Sequence, residues 1–180
     1  MTDGPRFPAR RDDDAKAWFY LDHRRDIEAW VALRDDAAEV LHAHLLALEP
    51  AVRSMADELG CEMETADVPD GAWPRFGLWR PSWQTAGVRD LSVVIEWELD
   101  ALLVPGANCW PFVGVRSEVV DKDKHRWSEL VAALTPARAQ LRAEKSKPWP
   151  LWRYEEPPAE AEGVDPEAIA LGLLRSLRQV

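Results

Sequence analysis

Cysteine is scarce in this chain of 180 residues: Cys61 and Cys109 are the only two. Two thiols cannot complete a zinc site by themselves, and they are too few for a disulfide framework, so both read as buried free thiols. No apolar run approaches the roughly 18 residues of a membrane-spanning helix. The start, MTDGPRFPARRDDD, has no apolar core of the kind that directs secretion, which leads us to expect a cytoplasmic protein. Lysine, asparagine and isoleucine are also depleted. Of the 22 basic residues 17 are Arg, Asn108 is the sole asparagine, and isoleucine occurs only at 27, 95 and 169. That bias is the mark of G- and C-rich codons, as in a bacterium of high genomic GC content or its phage. No Gly-x-Ser-x-Gly elbow, phosphate-cradling glycine loop or dinucleotide fingerprint is present, which removes the commonest enzyme motifs.

What is abundant is acid and tryptophan. The 32 carboxylates against 22 cations leave a net charge of −10, and ten tryptophans stand beside only two tyrosines and four phenylalanines. A field of that sign repels nucleic acid and anionic membrane in general. The 47% hydrophobic content is enough for a packed core, which excludes a wholly disordered chain.

Residues 1–13 have no periodicity and read as a flexible arm, and 14–180 as a single α+β domain: helical over 14–60, sheet over 61–120, and helical again over 121–180 with an extended piece near 149–154. Asp22 is a suitable N-cap. Behind it Ile27, Trp30, Val31, Arg34, Ala38, Leu41, His44, Leu45 and Leu48 recur at helical spacing. Pro50 breaks or kinks that helix, the stripe resumes at Val52, Met55, Ala56 and Leu59, and Gly60 is a natural end. Cys61–Asp67, Arg75–Arg80, Leu91–Leu99 and Phe112–Val120 predict short strands, too closely connected for crossover helices and therefore an antiparallel meander. Thr135-Pro136 starts a helix running towards Lys145, Trp149–Tyr154 is an edge strand or clamp, 155–163 is a loop, and Asp165-Pro166 caps a last amphipathic helix. The expected fold is α+β: an antiparallel sheet of four or five strands packed against a long N-terminal helix and C-terminal helices.

Three groups of residues could carry function. Glu96, Glu98 and Asp100 alternate on one strand, on the face expected to be wet, where carboxylates two apart could hold Mg²⁺ or Mn²⁺. The plainer reading pairs Glu96 and Glu98 with Arg80 and Arg116 on flanking strands, and no cofactor is then needed. Trp79, Arg80 and Trp83 at a strand end, Arg116, and Trp149, Trp152 and Arg153 together have the composition of a protein-binding hot spot. Residues 122–153 carry eight cations (Lys122, Lys124, Arg126, Arg138, Arg142, Lys145, Lys147 and Arg153) against Asp123, Glu129 and Glu144. With Trp127, Trp149 and Trp152 for stacking, this segment could bind nucleic acid locally, partly covered by the acidic stretch that follows it. The histidines show no metal spacing: His42 and His44 point to nearly opposite sides of a helix, and His44 reads as a core residue.

The order of a long helix, Phe-Gly-Leu-Trp-Arg-Pro-Ser-Trp, Val-Val-Ile-Glu-Trp-Glu, Pro-Phe-Val-Gly-Val-Arg and Trp-Pro-Leu-Trp-Arg-Tyr over residues 18–155 resembles small bacterial proteins. It is distantly similar to modules attached to PD-(D/E)xK nuclease-superfamily proteins of bacterial defence systems. Pro69-Asp70 imitates the first half of that nuclease signature. The second half departs from it, because Glu96 and Glu98 lack a Lys two residues on, so a shared scaffold implies a catalytically dead copy. The expectation is a non-catalytic protein that binds another protein as inhibitor, immunity protein or adaptor, with homo-oligomerisation open. The alternative is a divalent-metal-dependent phosphodiesterase-like enzyme using Glu96 and Glu98.

Overall fold

A computed structural model describes residues 14–106, 108–157 and 163–180, and the expected N-terminal arm and the centre of the 155–163 loop lie outside them. The chain divides into two units, residues 1–37 and 38–180. Helix α1 (Ala15–Leu46) runs through the division. In the first unit the backbone leaves helical geometry at His23 (φ −117°, ψ 16°), one residue past the expected cap Asp22, so the expected helix start is a kink within a longer helix. Phe19 lies on His23 with ring centres 4.5 Å apart, Tyr20 donates to Glu28, and Arg34 donates to Asp35.

In the second unit the end of α1 is followed by α2 (Glu49–Leu59), with Pro50 in its first turn and Gly60 (φ 62°) closing it in left-handed geometry. Strands β1 (Glu62–Ala66), β2 (Arg75–Trp79), β5 (Ser92–Glu96), β6 (Phe112–Arg116), β7 (Glu144–Ser146) and β8 (Trp149–Tyr154) form one antiparallel sheet in the order β1-β2-β5-β6-β8-β7. A two-stranded ribbon, β3 (Gln84–Thr85) and β4 (Val88–Arg89), interrupts the meander between β2 and β5. Helices α3 (Lys124–Ala133) and α4 (Thr135–Leu141) join β6 to β7, and α5 (Pro166–Gln179) starts at Asp165, whose carboxylate accepts from the amides of Glu167 and Ala168.

The α+β class, the long N-terminal helix and the antiparallel meander stand as expected, with six strands in the main sheet. Local differences have physical causes. The strand expected over Leu91–Leu99 stops at Glu96. Beyond it Trp97 donates to Pro74 O at 3.2 Å and Leu99 to Ala72 O at 3.0 Å, but Pro74 has no N–H to return, and the ladder lapses. The strand expected over Phe112–Val120 likewise ends at Arg116. The helix expected to run towards Lys145 stops at Leu141, where Arg142 turns left-handed (φ 51°) and lets β7 form. β7 is then the sheet edge, and Trp149–Tyr154 lies one strand in.

One face of the sheet carries the apolar core. Phe76, Leu78, Val93, Ile95 and Val113 meet Leu41, Leu45 and Leu48 of the first helical segments, Val52 and Met55 of α2, and Ile169, Leu173 and Leu177 of α5. Trp97 is fully buried there and donates its indole N–H to His42 Nδ1 at 3.0 Å. Burial pushes the His42 imidazole below its ordinary pKa, which keeps it neutral and able to accept. The core histidine is thus His42. His44 is exposed and bonds to Val40 O.

The other face was expected to be wet on β5, yet Ser92, Val94 and Glu96 are all buried. Val94 is flanked in register by Gly77 and Gly114. A Cβ on Gly77 would sit 2.7 Å from Glu64 Cγ and 2.9 Å from Val94 Cγ1, so the missing side chain is the space in which Glu64 lies. Trp152 borders the equivalent space at Gly114.

Candidate functional site

The second face of the sheet is where charge collects. Register places Ala66, Arg75, Glu96, Phe112 and Tyr154 in one row across five strands, and Glu64, Gly77, Val94, Gly114 and Trp152 in the next. Arg75 spans the two rows: its guanidinium lies 3.7 Å from Glu96 Oε2 and 3.7 Å from Glu64 Oε1. Glu64 reaches with its other oxygen to Arg89, and Arg89 in turn stacks on Trp79 with its guanidinium carbon 4.6 Å from the ring centre. Asp90, the next residue, pairs with Arg126 of α3.

Glu96 is the most buried of these ions, 5% exposed. Burial raises its carboxyl from the usual range to about 7, against the opposing pull of Arg75 and then Arg116. Arg116, at the end of β6, stands apart. Burial, followed by repulsion from Arg75, lowers its pKa. Glu96 and Glu118 act on it through space, but among the described residues its side chain forms no hydrogen bond and no ion pair within 4 Å.

At the β8 end the face is aromatic. Phe112 contacts Trp149, Trp152 and Tyr154 edge-on at 5.0, 5.9 and 6.2 Å. The Tyr154 hydroxyl donates to Asn108 Oδ1 and accepts from Asn108 N.

The residues singled out from sequence are scattered by this geometry. Glu96 faces Arg75, Glu98 accepts from Asn108 Nδ2 at 2.7 Å, and Asp100 is exposed in a short 3-10 turn. The three carboxylates therefore do not share a strand face, and no group of three or more potential metal ligands occurs among the described residues. Of the two cations expected to neutralise Glu96 and Glu98, neither stands opposite Glu96 in register; Arg75 does. Arg80 donates to Leu59 O at 2.7 Å and covers Trp83. Trp79 and Trp83 are half-buried under arginines, Trp149 and Trp152 belong to the aromatic cluster, and Arg153 donates to Ser176 on α5 beside Glu155. Glu155, the first residue of the acidic stretch, accepts from Ser176 in the same place. Of the three candidate arginines, Arg116 alone has a side chain with no hydrogen bond and no ion pair within 4 Å among the described residues.

Arg75 and Arg89 were not singled out from sequence. Arg75 was legible only through register, since a residue opposite Glu96 cannot be chosen before Gly77 is set against Val94. Arg89 lies after a tight ribbon turn that carries no such signal.

A second feature concerns α1. Seven of the ten exposed large apolar side chains among the described residues lie on this one helix: Phe19, Tyr20, Leu21, Trp30, Val31, Leu33 and Val40. Trp30, the only tryptophan of the ten classed as exposed, is 67% accessible.

Comparison with protein-family models, with curated proteins and with solved structures gives no match. No helix of the described residues is long and apolar enough to cross a membrane.

Proposed function

We propose that the protein is a non-catalytic interaction protein that engages another protein through α1, in an inhibitor, immunity or adaptor role. The observation that carries this reading is the concentration of exposed large apolar side chains on α1 around Trp30. A tryptophan offers about 150–250 Å² of burial, and Trp is the residue most enriched at interface hot spots. The helical spacing of Ile27, Trp30, Val31 and Arg34 suits docking into an apolar groove, where anchors at i, i+3, i+4 and i+7 are read together. Residues 14–37 carry six carboxylates against four cations, so the rim of such a groove is net basic. The likeness to defence-associated modules supplies the biological setting of the proposal. The phosphodiesterase alternative draws less support, because Glu96 is flanked by arginines and Glu98 and Asp100 diverge from it.

The test is purification of the tagged full chain from its native host, beside Trp30→Asp/Leu33→Asp. Both sites are exposed, so the variant should melt within about 0.5 kcal/mol of wild type. A stoichiometric protein recovered with wild type and lost with the variant supports the reading. The reading fails if wild type recovers none, or if the variant recovers the same one. A homodimer mass abolished by the variant would replace the foreign partner by a second copy.

A further inference from the structure

The distribution of committed and uncommitted cations points to a second site, distant in sequence from the α1 stripe. Arg75, Arg89, Arg126 and Arg153 each face a carboxylate, and Arg80 a carbonyl. Arg116 is as enclosed as several of these, yet has no counter-ion within 4 Å among the described residues. A half-buried guanidinium that Glu96 and Glu118 reach only through space has lost hydration without a directly bonded anion, an arrangement that an incoming anion would relieve.

The surroundings of Arg116 match that need. It lines a cavity of about 410 Å³ together with Ser117, Lys122 and Lys147. Glu118 and Asp121 also border this cavity. The approach of Asp121 to Lys147 is 4.0 Å between two well-exposed side chains, too weak to hold the lysine. Lys147 also lines an adjoining cavity of about 360 Å³ with Trp127, Val131, Lys145 and Ser146. A cavity lined by three cations and two carboxylates thus shares Lys147 with one that contains an indole. The overall charge of −10 does not oppose this locally, since charges more than about 8 Å away are screened at physiological salt.

We infer that Arg116, Lys122 and Lys147 bind a phosphate group and that Trp127 stacks on a ring attached to it, making this corner a site for a nucleotide or for one residue of a single strand of nucleic acid. Phosphate and ring are common to both sources, and titration separates them.

The experiment is calorimetric titration of the full chain, in a phosphate-free buffer of low salt, with inorganic phosphate, AMP and a ten-residue oligodeoxythymidylate. Wild type should bind AMP about tenfold more tightly than phosphate, the increment expected of one stacked base. Arg116→Gln should weaken both by at least about tenfold, as expected for the loss of a charge-assisted bidentate contact. Trp127→Ala should remove only the advantage of AMP. An oligonucleotide that binds far more tightly than AMP identifies a strand as the ligand, and equal affinity identifies a free nucleotide. Lys122→Ser/Lys147→Ser, at two exposed positions, carries the same expectation as Arg116→Gln should that variant fail to fold. The inference is overturned if wild type binds none of the three probes. It is also overturned if a folded Arg116→Gln or the lysine pair binds phosphate as wild type does. Neither result touches the α1 reading, whose variants lie at residues 30 and 33.

Discussion

The two faces of the main sheet solve burial differently. On the helix-covered face Phe76, Val93, Ile95 and Trp97 pack against α2, α5 and the end of α1, and buried polar groups are met side chain to side chain, the Trp97 indole N–H by His42 and the Ser176 hydroxyl by Arg153 and Glu155. On the opposite face the same strands bury Glu96 and partly bury Glu64, Arg75 and Arg116, groups that must find each other to be tolerated. The apolar face asks for shape and the charged face for partners. The comparison isolates Arg116 as the arginine of that face that makes no ion pair within 4 Å among the described residues.

Four substitutions or conditions test how far the two faces differ. The largest effect belongs to the apolar face: Trp97→Ala should cost about 4 kcal/mol in urea denaturation, from cavity formation together with the lost bond to His42. Next comes a pH dependence confined to the charged face. The Glu96 carboxyl, raised to about 7 from an ordinary 4.5, binds its proton more tightly folded than unfolded. Its stabilising contribution is therefore complete below about pH 4.5 and is lost as pH rises through about 7. The loss amounts to roughly 3 kcal/mol between the two ends of that window. Glu96→Gln should flatten this slope in stability measured from pH 5 to pH 8, and an unchanged slope would assign it elsewhere.

Gly77→Ala comes third, at about 2 kcal/mol, because the new methyl displaces Glu64 or Val94. Thermal melting of the variant beside the Glu64→Ala/Gly77→Ala double mutant checks the cause, since removing Glu64 should recover part of the loss. The smallest effect sharpens the contrast most. Arg116→Gln should change stability by no more than about 0.5 kcal/mol, because no ion pair is broken; a cost of 2 kcal/mol or more would mean that Arg116 is already partnered.

How much of this was legible in the sequence differs along the chain. Helices and their ends were readable where the cause is local, as with Gly60 after α2 or Asp165 before α5. The end of β5 was not, because alternation continues through Trp97 and Leu99, and it is Pro74, more than twenty residues earlier, that withholds the return bond. The turn at Arg142 was hidden for the opposite reason: a left-handed residue that is not glycine leaves no mark. For the charged face the sequence marked Glu96 and Arg116 as notable but offered Arg80 and Arg116 together as partners of Glu96 and Glu98, without Arg75. Which arginine lies opposite is a matter of register, and register is set by which residues leave room for others. The cation excess of residues 122–153 was visible as a sum, whereas its division into Arg153, pinned to α5, and Lys122 and Lys147, lining a cavity with Arg116, required the fold.

Gly77 makes a last point about which positions are free to vary. It bears no charge and donates nothing to the face around it, yet Glu64 lies in the volume its side chain would fill. Carboxylates and guanidinia on that face can be exchanged for other pairs of ions, but every such pair needs the same vacancy at position 77. A search for divergent relatives would do better to follow the small residues at 77 and 114 than the acids and arginines they accommodate.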